Sequence, residues 1–79
     1  NPMTRIDFAL DQAGPVEISV YDVAGHRVAS LHQGHLDAGE HFVTWNGMTE
    51  KGSSAAAGQY WYVLKTADGQ VSKSMVLLK

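Results

Sequence analysis

Apolar side chains recur at every second position in this chain, in short runs that glycine interrupts about every ten residues. The first run, Thr4–Leu10, puts Ile6, Phe8 and Leu10 on one side and Arg5, Asp7 and Ala9 on the other. Successive side chains of a strand point to opposite faces, so this run buries one face and wets its back. A helix needs apolar residues three and four apart, and none of the runs keeps that spacing. Residues 16–21 repeat the alternation, with Val16, Ile18 and Val20 inward and Glu17 and Ser19 toward water. Their β-branched content adds to the strand reading.

The segments between the runs have turn chemistry. Asp11-Gln12-Ala13-Gly14-Pro15 is one such break. In Asp22-Val23-Ala24-Gly25 the aspartate can accept bonds from backbone N–H groups ahead of it, and the glycine can take a positive φ. The returning strand, residues 27–32, carries Val28 and Leu31 at odd spacing, and these share a face only if the strand bulges. Residues 34–39 read as a polar turn. Residues 40–45 follow, with His41, Val43 and Trp45 on one face and Phe42 and Thr44 on the other. Asn46-Gly47 opens a long loop through Gly52-Ser53-Ser54 and three alanines, which Gly52 and Gly58 bracket too closely for a helix. Residues 60–66 are apolar on both sides, which predicts a central strand or one whose outer face meets another surface. Asp68-Gly69 predicts a hairpin of the primed type, and residues 71–79 a last strand, with Met75 and Leu77 on one face and Val76 and Leu78 on the other. One pair packs on the core and the other leaves an apolar strip at the sheet margin.

These elements predict an all-β fold: a small antiparallel immunoglobulin-like β-sandwich of about seven strands, with a small barrel as the alternative. The expected core is Phe8, Ile18, Val20, Val43, Trp45, Tyr60, Tyr62 and Leu64. Seventy-nine residues make one small domain. The chain starts Asn1-Pro2 without an initiator methionine, so it is expected to be a piece of a longer protein.

Little here points to reactive chemistry. There is no cysteine, so disulfides, Cys-zinc sites and thiol nucleophiles are excluded. A net charge of −2 gives no basic footprint for nucleic acid. His26, His32, His35 and His41 scatter over a hairpin, a strand end and a turn, which predicts no zinc site. His41, on the face of Val43 and Trp45, reads as a partly buried histidine with a hydrogen-bond partner. Asp22, Asp37, Asp68 and Glu50 fall in turns and serve the backbone there, with no Asp-x-Asp-x-Asp calcium loop. No G-x-S-x-G elbow, phosphate loop or dinucleotide fingerprint occurs. The expectation is a non-enzyme without cofactor, metal or small-molecule substrate. Trp61, between Tyr60 and Tyr62, is the aromatic that could instead meet a ligand such as a sugar.

Several pieces stand in a fixed order: Asn1-Pro2, Gly14-Pro15-Val16, Tyr21-Asp22-Val23-Ala24-Gly25-His26-Arg27-Val28 and Leu36-Asp37-Ala38-Gly39-Glu40-His41. Trp45-Asn46-Gly47, Gly58-Gln59-Tyr60-Trp61-Tyr62 and the ending Lys73-Ser74-Met75-Val76-Leu77-Leu78-Lys79 complete the series. The series resembles the C-terminal sorting domain of type IX secretion substrates (type A), itself described as similar to the Ig-like domain of the flagellar hook-capping protein. Asn46 stands where that family commonly has aspartate.

The resemblance implies a non-catalytic address tag on a large cargo, exported via the periplasm and delivered to the surface of a Gram-negative bacterium or secreted from it. It implies an outer-membrane translocon and sortase-like machinery as partners. It places the signal on Gly58, Tyr60, Lys73, Met75, Val76, Leu77, Leu78 and Lys79. A terminal strand at a sheet edge is reachable by a receptor strand, and the same edge is a route to a homodimer. The competing expectation is a passive Ig-like accessory or cell-attachment module of an extracellular enzyme.

Overall fold

Alternation of period two is realised as two antiparallel sheets packed face to face. The computed structural model describes residues 3–78. The strands are β1 (Thr4–Leu10), β2 (Gly14–Tyr21), β3 (Arg27–Leu36), β4 (Gly39–Trp45), β5 (Gly58–Thr66) and β6 (Gly69–Leu77). One sheet is β1-β4 and the other is β3-β2-β5-β6, with every ladder antiparallel. The chain crosses between sheets after β1, β3 and β4, as a sandwich requires. Among the described residues there are six strands rather than about seven. Residues 46–57 supply no seventh: they fold back on themselves through a single bridge, Met48 to Ser54.

β3 corrects the sequence reading at one point and bears it out at another. Residues 34–36, expected in a turn, continue the ladder opposite β2, so the break falls between Leu36 and Gly39. The expected bulge is present, because the register slips twice and leaves Leu31 and Val28 without opposite partners. Those slips let Val28 and Leu31 both pack against the core. β5 lies between β2 and β6, the central position that its two apolar faces predict. The β5–β6 hairpin is not primed. Its central residues are Ala67 and Asp68, neither has a positive φ, and a primed turn needs one at its first central residue. Thr66 instead holds the turn, its Oγ1 accepting the Asp68 N–H at 3.2 Å.

The core divides in two. Val20, Ala29, Trp45, Ala55, Tyr60 and Leu77 form one cluster, and Leu10, Val16 and Ile18 the other. Ile18, Val20, Trp45 and Tyr60 are therefore core as expected. Phe8, Val43 and Leu64 are half-buried and pack against the second cluster, and Tyr62 is half-buried as well. The smaller sheet has only two strands and cannot cover all four of the larger. Trp45 sets its edge against the Tyr60 ring at 5.1 Å and donates its indole N–H to the Met48 carbonyl at 3.0 Å. The long loop is tied to the same place, with the Ala55 N–H on the Gly47 carbonyl and the Glu50 N–H on the Val28 carbonyl.

Ser19, expected to face water, is 2% exposed, and its hydroxyl has no partner among the described residues. It sits at the first register slip, inside the ladders to β3 and β5. An unpaired buried hydroxyl costs about 1–3 kcal/mol in desolvation. Ser19→Ala is expected to raise stability by about 1 kcal/mol in chemical denaturation, and a loss of that size contradicts the orphan assignment. Trp45→Ala removes the side chain that joins both sheets and the loop. It is expected to cost about 3–5 kcal/mol, enough to unfold so small a domain, and a melting temperature near wild type would refute this role.

Candidate functional site

A sheet edge recognises other chains only where its backbone is regular and uncovered. The larger sheet has two edges, β3 and β6. β3 is bent by its two register slips, a common way to blunt an edge. β6 runs unbroken opposite β5 from Gly69 to Leu77, without proline and with Lys73 as its one charge. Among the described residues Lys73 has no ion-pair partner.

The side chains of β6 divide by parity. Leu77 is buried against Tyr60, Trp45 and Val20, with Met75 half-buried beside it. Val76 and Leu78 point the other way and are 60% and 75% exposed. Val76 lies opposite Gln59, one diagonal step from the half-buried Trp61. This apolar strip on the outer face was legible as alternation in the last strand. Trp61's place beside it follows from the β5–β6 register, which no single-strand pattern contains.

The residues assigned to a sorting signal thus fall into three groups. Lys73, Val76 and Leu78 are exposed. Tyr60, Leu77 and most of Met75 belong to the core and support the strand from beneath. The Tyr60 hydroxyl donates to the Ala56 carbonyl at 2.6 Å, which fixes the entry to β5. Gly58 has φ 145°, a value that L side chains rarely adopt, although a Cβ would meet no neighbour there. Lys79 lies outside the described residues.

Of the turn carboxylates Asp22 serves the backbone as expected, while Glu50 and Asp37 instead face the side chains of Arg27 and His35. His41 donates to the Asp37 carbonyl at 2.6 Å and stacks on Phe8 at 5.6 Å, as its face predicts. His26 approaches Asp22 at 3.5 Å, His35 approaches Asp37 at 3.9 Å, and His32 reaches the Gly34 carbonyl at 3.3 Å. Among the described residues no three His, Asp or Glu side chains converge. Glu50 pairs with Arg27 at 2.9 Å. Asp22 Oδ1 accepts the N–H groups of His26 at 2.9 Å and Ala24 at 3.0 Å, and Gly25 closes the turn at φ 85°.

The model of the FlgD Ig-like domain matches residues 3–70. The chain belongs to this family. FlgD from P. aeruginosa superposes with a TM-score of 0.73 at 26% identity, over 95% of this chain and 57% of that one. FlgD from Xanthomonas campestris, described as giving insights into hook capping essential for flagellar assembly, superposes with a TM-score of 0.67 at 24% identity. That likeness covers 96% of this chain and 56% of the other. The chain thus spans a little over half of each FlgD structure it matches. No significant match occurs among the curated proteins. This FlgD Ig-like domain carries β6 as its straight edge, and the family match ends at residue 70, just inside that strand.

Asp22 supplies a pH prediction. Its carboxyl is held below the ordinary value chiefly by the His26 N–H bond; desolvation, next in size, opposes the lowering, and the Ala24 N–H and the His26 ring add to it. A depressed folded-state pKa adds stability that is fully present above the ordinary carboxylate value of about 3.9 and is lost as pH falls through the lowered one. The melting temperature is therefore expected to fall less on acidification below about pH 5 in Asp22→Asn than in the wild type. Parallel acid limbs would show that the turn does not bind the charged form.

Proposed function

We propose that this domain is a non-catalytic C-terminal sorting module of the type IX secretion kind, read by its export machinery through β6. The supporting observation is the straight, unbulged edge of β6 with Val76 and Leu78 exposed on its outer face. Exposed apolar side chains on a regular edge invite aggregation, so a partner that covers them accounts for their presence. An outer-membrane translocon would add a strand along β6 through main-chain bonds and take Val76 and Leu78 into pockets. Sortase-like machinery would act on the cargo afterwards, at the cell surface. On this reading Tyr60, Gly58 and Leu77 hold the strand in place and do not touch the receptor.

A second reading has its own support in the family match. The FlgD Ig-like domain occurs in FlgD proteins, one described in connection with hook capping, and this chain could be a passive Ig-like module of a larger assembly or extracellular enzyme. There the outer face of β6 would pack on a neighbouring domain of the same protein.

Fusing the 79 residues to a periplasmic reporter separates the readings. In a host with type IX secretion the fusion is expected at the cell surface, and deleting Met75, Val76, Leu77, Leu78 and Lys79 is expected to leave the reporter in the periplasm. Val76→Ser and Leu78→Ser change only exposed side chains and should melt with the wild type while reducing surface delivery at least tenfold. Normal export of these variants and of the truncation would leave the passive module standing.

A further inference from the structure

The inward face of the larger sheet is not fully covered. Val71 lies opposite Leu64, which packs against Leu10, Val16 and Ile18, yet Val71 is 51% exposed. Lys73, opposite Tyr62 on the same face, is exposed too. The cause is width. The smaller sheet is two strands narrower, about 10 Å at ordinary strand spacing. Its β4 approaches β3, so the missing width falls on the side of β1. β1 pairs only with β4, which leaves its other edge without a ladder. A cleft of about 250 Å³ opens at the Leu10 end of that edge, between the β1–β2 loop and the β5–β6 hairpin, and its lining includes Leu10, Val16, Leu64, Val71, Asp11 and Asp68. Neither carboxylate has an ion-pair partner among the described residues.

We propose that this cleft receives one extended strand from outside these 79 residues, apolar at alternate positions and carrying a lysine or arginine beside Asp11 and Asp68. Its backbone would bond the free edge of β1 while every second side chain covers Leu64 and Val71. Geometry selects a lone strand over a second copy of the domain. Two antiparallel β1 strands would be related by an axis perpendicular to the sheet. The overhanging β5 and β6 of both copies would then compete for one layer. Charge selects a basic residue, since two unpaired carboxylates flank the entrance. The surface is distinct from the outer face of β6, so the two proposals stand or fall separately.

The probe is the acetylated, amidated peptide Lys-Thr-Val-Thr-Val-Thr-Val, titrated into the ¹⁵N-labelled chain. Amide exchange along the free edge of β1 is expected to slow at least tenfold, with shift changes at Leu64 and Val71. Val71→Lys is expected to weaken binding at least tenfold, and the pair Asp11→Asn and Asp68→Asn to weaken it severalfold and flatten its salt dependence. A peptide headed by glutamate should bind at least tenfold more weakly, and Val76→Lys should leave affinity unchanged. Unaltered β1 exchange, shifts confined to Trp61 and Val76, or undiminished affinity in Val71→Lys would each overturn the proposal. A dimer in sedimentation with β1 protected in the absence of peptide would also overturn it, in favour of a second copy.

Discussion

The indole of Trp45 is the contact on which the sandwich depends. It ends the inward face of β4, meets the Tyr60 ring of β5 edge-on and donates its N–H to the Met48 carbonyl in the long loop. Two sheets and a loop without regular structure thus converge on one side chain that is 1% exposed. A domain of this size buries a smaller fraction of its surface than a larger one and has little net stability to spare, so losing one such anchor removes much of it. Tyr60 extends the effect, because its hydroxyl fixes Ala56 and hence the point where β5 begins.

That anchoring explains how β6 is presented. Leu77 and Met75 reach the same cluster and hold one face of the last strand down, while parity forces Val76 and Leu78 outward. The exposed strip follows from burying its neighbours. The two edges of the larger sheet then differ in kind: β3 spends its bulges on seating Val28 and Leu31, and β6 stays straight. The outer face of that straight edge is polar at Gln70, Ser72 and Ser74 and apolar at Val76 and Leu78.

Much of the architecture was legible from parity alone. Ile6 and Leu10, Val16, Ile18 and Val20, and His41, Val43 and Trp45 all fall on the faces that their alternation assigns. The bulge in β3 could be read from Val28 and Leu31, and the Asp22 turn from its Asp-to-Gly spacing. The burial of Ser19 could not, since it depends on a slip between two strands and not on the pattern of one. Phe8, Val43, Tyr62 and Leu64 are less buried than their faces suggest, because the width of the second sheet is a property of the assembled fold. The straightness of β6 and the place of Trp61 beside it are likewise pairing facts, while the exposed Val76 and Leu78 were visible in the sequence. The hairpin before β6 misled for a local reason: Thr66 caps the turn, so Gly69 is not one of its central residues.

The uneven grip on β6 also sets where it opens. Its last turn of side chains is pinned by Leu77, while the half beginning at Gly69 carries only exposed residues and is held by the ladder to β5 and a two-residue turn. Local opening starts where few apolar contacts must be broken, so breathing begins at the hairpin and runs toward the terminus, along the direction of the chain. Each excursion uncovers the backbone of β5 before it disturbs Tyr60. The strand therefore loosens as a bowed segment held at both ends, by the two-residue turn to β5 and by the buried Leu77.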